Sequence, residues 1–542
     1  MSSPPTSEHL SGWAPLRRPL FRTIWLASLI SNLGSWMQDT AGTWLMTALT
    51  TSQLLIALMQ TAASLPVLLL GLPAGATADI FERRRLLIFW QAWMLATVAI
   101  LSVLTFTGVI SPWTLLVLTF LLNIGSAMNN PGWQAIIPEL VPRTELPDAI
   151  STNSAGFNLA RAVGPALGGL TVAAFVVAAH GAGLVFLLNS ASFIAVIIAL
   201  YRWKRSPPYK SALPSERMLG SMRAGIRYIR YVPALQNVLL RALIFTFFSS
   251  AVWALLAVVA EQDLHRGAMA YGILTGCLGL GAVVGASLLP KIRRLISADQ
   301  IGAISSGVFS ITLLVLALVR NVPVIVIWLL AAGFAWTSMT STMNVAVQLT
   351  VPAWVQARAL GVYQMIFMGG MAAGSTLWGF IAEHATTSRS LLAAGIAMLV
   401  SIPIAGRFHI LRGQPPDVSP YQLNRPAPQV VIEPHPEAGP VMVTIEYLVH
   451  EPDYVAFTHA IHQLRDVRLR DGAIRWGIFQ DAAQPDRFVE TFVVESWLEF
   501  LRERERMTTH DRAIRDRARQ YHYGESEPKI SFMIYAREDA TS

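Results

Sequence analysis

"LPVLLLGLPAGATADIFERRRLLIFWQAWMLATVAILSVL", residues 65–104, decides how the rest of the chain is read. Two apolar runs without a single charge, 65–74 and 86–104, flank a short link that holds Asp79, Glu82 and the consecutive arginines Arg83, Arg84 and Arg85. An α-helix needs about 20 apolar residues to cross the hydrocarbon of a bilayer. Arginines at that depth are costly, so the link stays at a membrane face while the runs on either side enter the membrane. The stretch therefore predicts two membrane helices joined by a charged turn.

The composition extends that reading to most of the chain. Of 542 residues, 53% are hydrophobic and 14% charged, with mean hydropathy +0.47, which excludes an ordinary soluble protein. Spans are predicted at 21–49, 53–78, 86–108, 112–138, 150–178, 183–201, 236–261, 269–290, 299–319, 323–350, 356–383 and 390–411. An even number places both termini on one side. The links on that side carry 21 Lys and Arg, against Arg266, Arg320 and Arg389 on the other, so the termini are expected in the cytoplasm. The first apolar stretch shows no small-residue cleavage pattern and is expected to be retained as span 1.

Residues 202–235 form the longest link between spans and divide them six and six. "NIGSAMNNPGWQAIIP" (123–138) and "TSMTSTMNVAVQLTVP" (337–352) align at a constant offset of 214, matching Asn130 with Asn344, Gln134 with Gln348 and Pro138 with Pro352. Duplicated halves with a site between them are a common build for secondary transporters. The expected divisions are 1–201 and 236–412 for the halves, 202–235 for the central loop, 413–440 for a proline-rich linker and 441–542 for a soluble domain.

That last region has a different chemistry. It holds 14 Lys and Arg and 18 Asp and Glu, whereas the first 440 residues hold 27 and 15. Alternating "VMVTIEYLV", a helix at 453–469, strands "AIRWGIF" and "RFVETFVV", a long helix at 497–522 and a strand "KISFMIY" give the order βαββαβ, a ferredoxin-like arrangement. The expected fold class is an all-α membrane protein of twelve helices in two halves, with a C-terminal α+β cytoplasmic domain.

Polar residues inside spans point to a cavity, because they are costly against lipid. Asn32, Ser35, Asp39 and Thr43 share one helix face in span 1, as do Asn123, Ala127, Asn130 and Gln134 in span 4, and Thr337, Ser341, Asn344 and Gln348 in span 10. Interhelical hydrogen bonding in a closed bundle is the alternative for each stripe. Asp39 and Arg161 are charges within membrane depth, each costing about 2.5 to 3.5 kcal/mol if unpaired. They either face each other or face the cavity. Asp39 either exchanges a proton between the two membrane faces or is held in one state by burial or pairing.

"GATADIFERRR" resembles the loop signature of the major facilitator superfamily through Gly75, Asp79, Arg83 and Arg84, although Phe81 and Glu82 stand where a glycine often precedes the basic pair. The resemblance implies a latch that closes the cytoplasmic face; topology alone is the plainer role for the arginines. "ARAVGPALGG" (160–169) is similar to the signature of exporters in that superfamily, through Gly164, Pro165, Gly168 and Gly169, with "GGMAAG" (369–374) at the corresponding place in the second half. Close helix packing without any bearing on direction is the plainer reading there. "SNLGSWMQDTAGTWLMTALT" (31–50) and "NPGWQAIIPELVP" (130–142) most resemble the branch with enterobactin exporters and transmembrane secretion effectors. The arginine that related drug/proton antiporters carry in span 4 is missing from "VLTFLLNIGSA".

This resemblance implies export of a small-molecule substrate, siderophore-like or drug-like, driven by a proton or other ion gradient across the lipid bilayer. ATP is not expected to drive it, because no phosphate-binding loop signature occurs. Neither nucleic-acid binding nor a cofactor, metal site or catalytic residue is expected. Cys277 is the only cysteine, and His459 with His462 lacks further ligands. The tail also resembles, more distantly, cofactor-free monooxygenase domains. A membrane-anchored enzyme or cargo sensor is therefore the alternative, with Trp476 in the core or at a dimer interface, and dimerisation through this domain a further expectation.

Overall fold

The computed structural model describes residues 14–203, 218–410, 417–419 and 434–536. Most of the proline-rich linker 413–440, and residues 204–217 of the central loop, lie outside that set. Among the described residues the first part of the chain is helical: α1 (Pro19–Leu49), α2 (Gln53–Ile80), α3 (Arg83–Phe106), α4 (Pro112–Leu140), α5 (Leu146–Ala173), α6 (Ala178–Arg202), the short α7 (Met218–Arg230), α8 (Pro233–Val258), α9 (Ala268–Ile292), α10 (Ala298–Leu318), α11 (Val322–Thr350), α12 (Ala353–His384) and α13 (Thr387–Gly406). Ten of these are long and apolar enough to cross a membrane. The other two long ones, α1 and α5, span 31 and 28 residues but carry more polar side chains.

Local chemistry sets the helix starts. Ser52 accepts from the Leu55 amide before α2, Ser111 from Thr114 before α4, and Thr386 from Arg389 before α13. Ser297 and Gln300 close a reciprocal capping box on α10. Each satisfies an amide that the helix itself leaves without a partner.

The chain divides into two compact units. One comprises Met1–Leu213, Leu239–Met343 and Gly361–Ile410; the other comprises Pro214–Val238, Asn344–Leu360 and Leu411–Ser542. In the first unit, packing depends on glycine where helices meet. A Cβ on Gly164 would stand 2.5 Å from the Trp36 Cβ, and one on Gly168 2.6 Å from the Met37 carbonyl oxygen, so α5 lies directly on α1. Gly169 meets Gly272 of α9 backbone to backbone, its Cβ position 2.8 Å from the Gly272 Cα. In the second half, Gly370 and Gly374 of α12 lie equally close to Thr246, Phe247 and Ser250 of α8. A larger residue at these places would force the helices apart.

The second unit is built on a four-stranded antiparallel sheet of β1 (Val441–Leu448), β2 (Ala473–Gln480), β3 (Arg487–Val494) and β4 (Lys529–Ile534), in the order β2-β3-β1-β4. In register, Val443 faces Phe492 on one side and Phe532 on the other. Helices α14 (Tyr454–Asp471), α15 (Trp497–Arg506) and α16 (Thr509–Arg519) supply Phe457, Ile461, Leu464, Trp497, Phe500 and Ala518 to a core shared with Val441, Tyr447 and Val494. The single helix expected over 497–522 is broken at Met507 and Thr508. Thr508 leaves the helical conformation to cap α16 in a box with Asp511, a position its hydroxyl favours over a helix interior.

The rest of that unit consists of α7, the start of α8, the end of α11 and the start of α12. Tyr228 of α7 donates to the Thr350 carbonyl and packs edge-on against Trp354 at 5.7 Å. Arg227 reaches the Arg470 carbonyl and Glu499. Arg470 lies over the Tyr228 ring and Arg506 over the Trp354 ring, at 5.4 and 4.5 Å. Arg470 in turn chelates Asp471 and Asp511.

Candidate functional site

The first unit encloses a cavity of about 210 Å³. Its wall takes Trp36, Asp39 and Thr43 from α1, Gln60 from α2, Thr119 from α4, Arg161 from α5, Trp253 from α8, Tyr271 and Thr275 from α9, Trp336 from α11, and Phe367 and Met371 from α12. Apolar and aromatic surface with a few convergent polar groups is the usual make-up of a small-molecule site.

The two charges face this space and not each other. Neither Asp39 nor Arg161 forms an ion pair or a side-chain hydrogen bond among the described residues, and the Arg161 Nε is buried without an acceptor. The Arg161 guanidinium instead sits among three indoles, 5.7 Å from the Trp36 ring centre and 6.0 Å from those of Trp253 and Trp336. Trp253 and Trp336 meet edge to face at 5.5 Å, and Trp336 meets Phe367 at 5.6 Å. Each cation–π contact is worth about 0.5 to 2 kcal/mol. None of them satisfies a guanidinium N–H in the plane.

The glycine seams hold these groups in place. Arg161 lies about one turn before Gly164 and two turns before Gly168, which fix α5 on Trp36 and Met37, in the turn that precedes Asp39. On its other side α5 meets α9 through Ala162, whose Cα would be 2.6 Å from a Cβ on Gly279. The GPxxGG pattern is therefore the scaffold of the cavity's charged wall, with Pro165 buried between the seams.

Of the three polar stripes, Asp39 and Thr43 reach this cavity together with Arg161. Asn32 donates to Ser28, Ser35 to the Ser31 carbonyl and Asn123 to the Thr119 carbonyl, each within its own helix. The repeat noted between the halves recurs in bonding: Gln134 donates to Asn130, and Gln348 to Asn344. Thr337 is not among the residues of the cavity wall, and Ser341 accepts from Arg293 at 3.0 Å. Trp36, Trp253, Trp336 and Tyr271 were not expected from the sequence as parts of the site. Their signal was an indole or phenol in the middle of an apolar span, where its polar atom needs a partner or a cavity.

At the charged turn after α2, Arg83 binds the Ala135 carbonyl and Glu139 of α4, the latter at 2.8 Å. Arg84 binds the Leu200 and Tyr201 carbonyls at the end of α6, supplying donors and positive charge where a helix C-terminus lacks them. No atom stands within 4 Å of a Cβ placed on Gly75, so crowding does not call for glycine there. The Asp79 side chain is outside the described set. A further cluster escaped the sequence reading: Arg241 of α8 pairs with Asp299 at the start of α10, and Asp299 also takes the Ile410 amide.

The family model for transmembrane secretion effectors matches residues 10–540, the C-terminal domain included. The staphyloferrin A transporter of Staphylococcus aureus is 24% identical over 378 residues, covering 69% of this chain and 92% of its own. Multidrug efflux pump Tap of Mycolicibacterium fortuitum is 25% identical over 392 residues, covering 71% and 94%. An MFS-type transporter of Bacillus subtilis is 26% identical over 415 residues, covering 71% and 93%. Among solved structures, a bacterial homologue of the lysosomal transporter Spinster, inward-facing and occupied, superposes with TM-score 0.59 at 15% identity, covering 73% of this chain and 96% of that one. A D-xylose–proton symporter gives 0.57 at 13% identity, covering 71% and 97%. The chain is a multi-pass membrane transporter, not an enzyme, and belongs to the transmembrane secretion effector family of the major facilitator transporters.

Proposed function

We propose that this protein exports small molecules, siderophore-like or drug-like, across the cytoplasmic membrane by alternating access, using the proton gradient. The observation that carries the reading is the cavity enclosed by helices of both sequence halves, with Asp39 and Arg161 unpaired in its wall. A carboxyl that faces the cavity within membrane depth, with no fixed counter-charge, takes up or releases a proton according to the side to which the cavity opens. Asp39 is the coupling residue in this scheme, and the names of the siderophore and multidrug relatives support the cargo class.

In this reading α1 and α5 cross the membrane with the ten more apolar helices, giving twelve spans in two halves, 1–201 and 236–412, with both termini cytoplasmic. Gly75, Asp79, Arg83 and Arg84 form the cytoplasmic latch. Gly164, Pro165, Gly168 and Gly169 form the exporter seam. Asn32, Ser35, Asn123, Asn130, Gln134, Thr337, Ser341, Asn344 and Gln348 line the access route when the cytoplasmic side opens. The strand order of the tail supports a ferredoxin-like domain, which acts as a regulatory or dimerising module.

The test is accumulation of a panel of cationic and anionic fluorescent drugs and of a catecholate iron chelate in cells carrying the wild type or Asp39→Asn, with and without an uncoupler. Lower accumulation in the wild type, abolished both by the uncoupler and by the substitution, is the expected result. Accumulation that is unchanged by the substitution removes Asp39 from the mechanism.

A further inference from the structure

The arginines among the described residues differ in how their charge is met. Among the buried ones, Arg241 pairs with Asp299, Arg468 with Glu490 and Glu503, Arg470 with Asp471 and Asp511, Arg506 with Glu499, and Arg515 with Asp516. Arg161 has no carboxylate among the described residues, although Asp39 lines the same cavity. The Arg161 side chain is half-buried in the cavity wall with its Nε buried, and because a guanidinium does not shed its proton under physiological conditions it cannot meet these surroundings by becoming neutral, as a carboxylic acid or a lysine can. Its five donors lie in one plane and match a two-oxygen anion. Here the guanidinium carbon lies over the rings of Trp36, Trp253 and Trp336, which offer apolar surface to a flat or apolar group beside the anion and offer no acceptor.

We infer that Arg161 is the anion receptor of the cavity and that the cargo is an amphipathic carboxylate, its charged end bound by the guanidinium and its apolar part held among the three indoles. This rests on the reading of the cavity as a cargo site. It adds the sign of the cargo's charge and the residue that selects it. Arg161 is then a specificity residue, distinct from the proton-coupling role assigned to Asp39.

The test uses full-length protein in lipid nanodiscs and calorimetric titration with three probes of one shape: 2-naphthoate, 2-naphthamide and 2-naphthylmethylammonium. Wild type is expected to bind the naphthoate at least tenfold more tightly than the amide and the ammonium. Arg161→Gln should erase that preference while retaining some binding of the amide through the indoles. Arg161→Lys should retain the sign of the preference with reduced affinity, because the charge remains but the fork is lost. Size-exclusion profiles identify any variant that fails to fold, and the wild-type comparison of the three probes stands without the variants. The inference is overturned if wild type binds the ammonium as well as the naphthoate, if it binds none of the probes, or if Arg161→Gln retains the preference. Loss of the anion preference alongside gradient-driven drug efflux leaves the exporter reading intact. Anion binding without transport in proteoliposomes has the opposite consequence, removing the exporter reading while keeping the receptor.

Discussion

Aspartate and arginine respond differently to burial, and that difference separates the roles of the two charges in the cavity. A carboxyl can become neutral and so can carry a proton through a cycle, whereas a guanidinium keeps its charge throughout. Asp39→Asn is therefore expected to abolish uphill, proton-driven transport in proteoliposomes while leaving cargo–cargo exchange within about twofold of wild type; equal loss of both would make Asp39 a binding residue. In the tail, Glu490 occupies an inward position of β3 and takes bonds from Arg468, Tyr447 and Trp476. Replacing one partner of a buried pair leaves the other charge stranded, so Glu490→Ala should cost about 3 to 5 kcal/mol, seen as faster amide exchange in α14 and β3 of the full chain. Asp511 gives a pH signature. Burial pushes its carboxyl up, but Arg470 and the Thr508 cap outweigh that and hold it below its ordinary value. Its contribution is complete above the unfolded value of about 4 and is lost as pH falls through the lower folded value. Protection of the amides at the start of α16 should therefore decline on acidification below about pH 4 in the wild type, and show no such step in Asp511→Asn.

At the scale of elements, α5 is the helix on which the most depends, since it touches α1 through Gly164 and Gly168 and α9 through Gly169. A methyl at Gly169 would stand 2.7 Å from the Ala268 carbonyl, whereas one at Gly276, on the same α5–α9 seam, would find its nearest neighbour at an ordinary 3.5 Å. Gly169→Ala should cost about 1 to 3 kcal/mol through overpacking, and Gly276→Ala close to nothing, as read from melting of the purified protein. Comparable shifts for both would mean that the seam is not tightly packed. The motif glycines were legible in the sequence because small residues at spacings of three and four mark a helix face. The indoles around Arg161 were not, because a Trp in an apolar run satisfies the hydropathy pattern whichever way it faces. Polar stripes are ambiguous for a related reason: Asn32, Ser35 and Asn123 bond within their own helices, which spacing alone does not distinguish from facing water. The strands of the tail were readable from their strict alternation. The break at Thr508 was hidden between two runs of charged helix formers, where only the Thr508–Asp511 spacing marked a new N-terminus.

For the whole molecule, the arrangement of basic links predicts sidedness. In a Cys277→Ser background, a cysteine replacing Phe81 should react with a membrane-impermeant maleimide only after cells are permeabilised, and one replacing Arg266 should react in intact cells. The reverse pattern would invert the topology. The chain is also continuous across its two compact units, since α8, α11 and α12 each contribute residues to both. Finally, the contact between Gly169 and Gly272 has a mechanical meaning. Where two helices touch through backbone alone, there are no side chains to interlock and no rotamers to exchange when one turns against the other. Such a joint is a bearing: it fixes the distance between the parts it connects while offering little resistance to their rotation, and any side chain added there would act as a tooth.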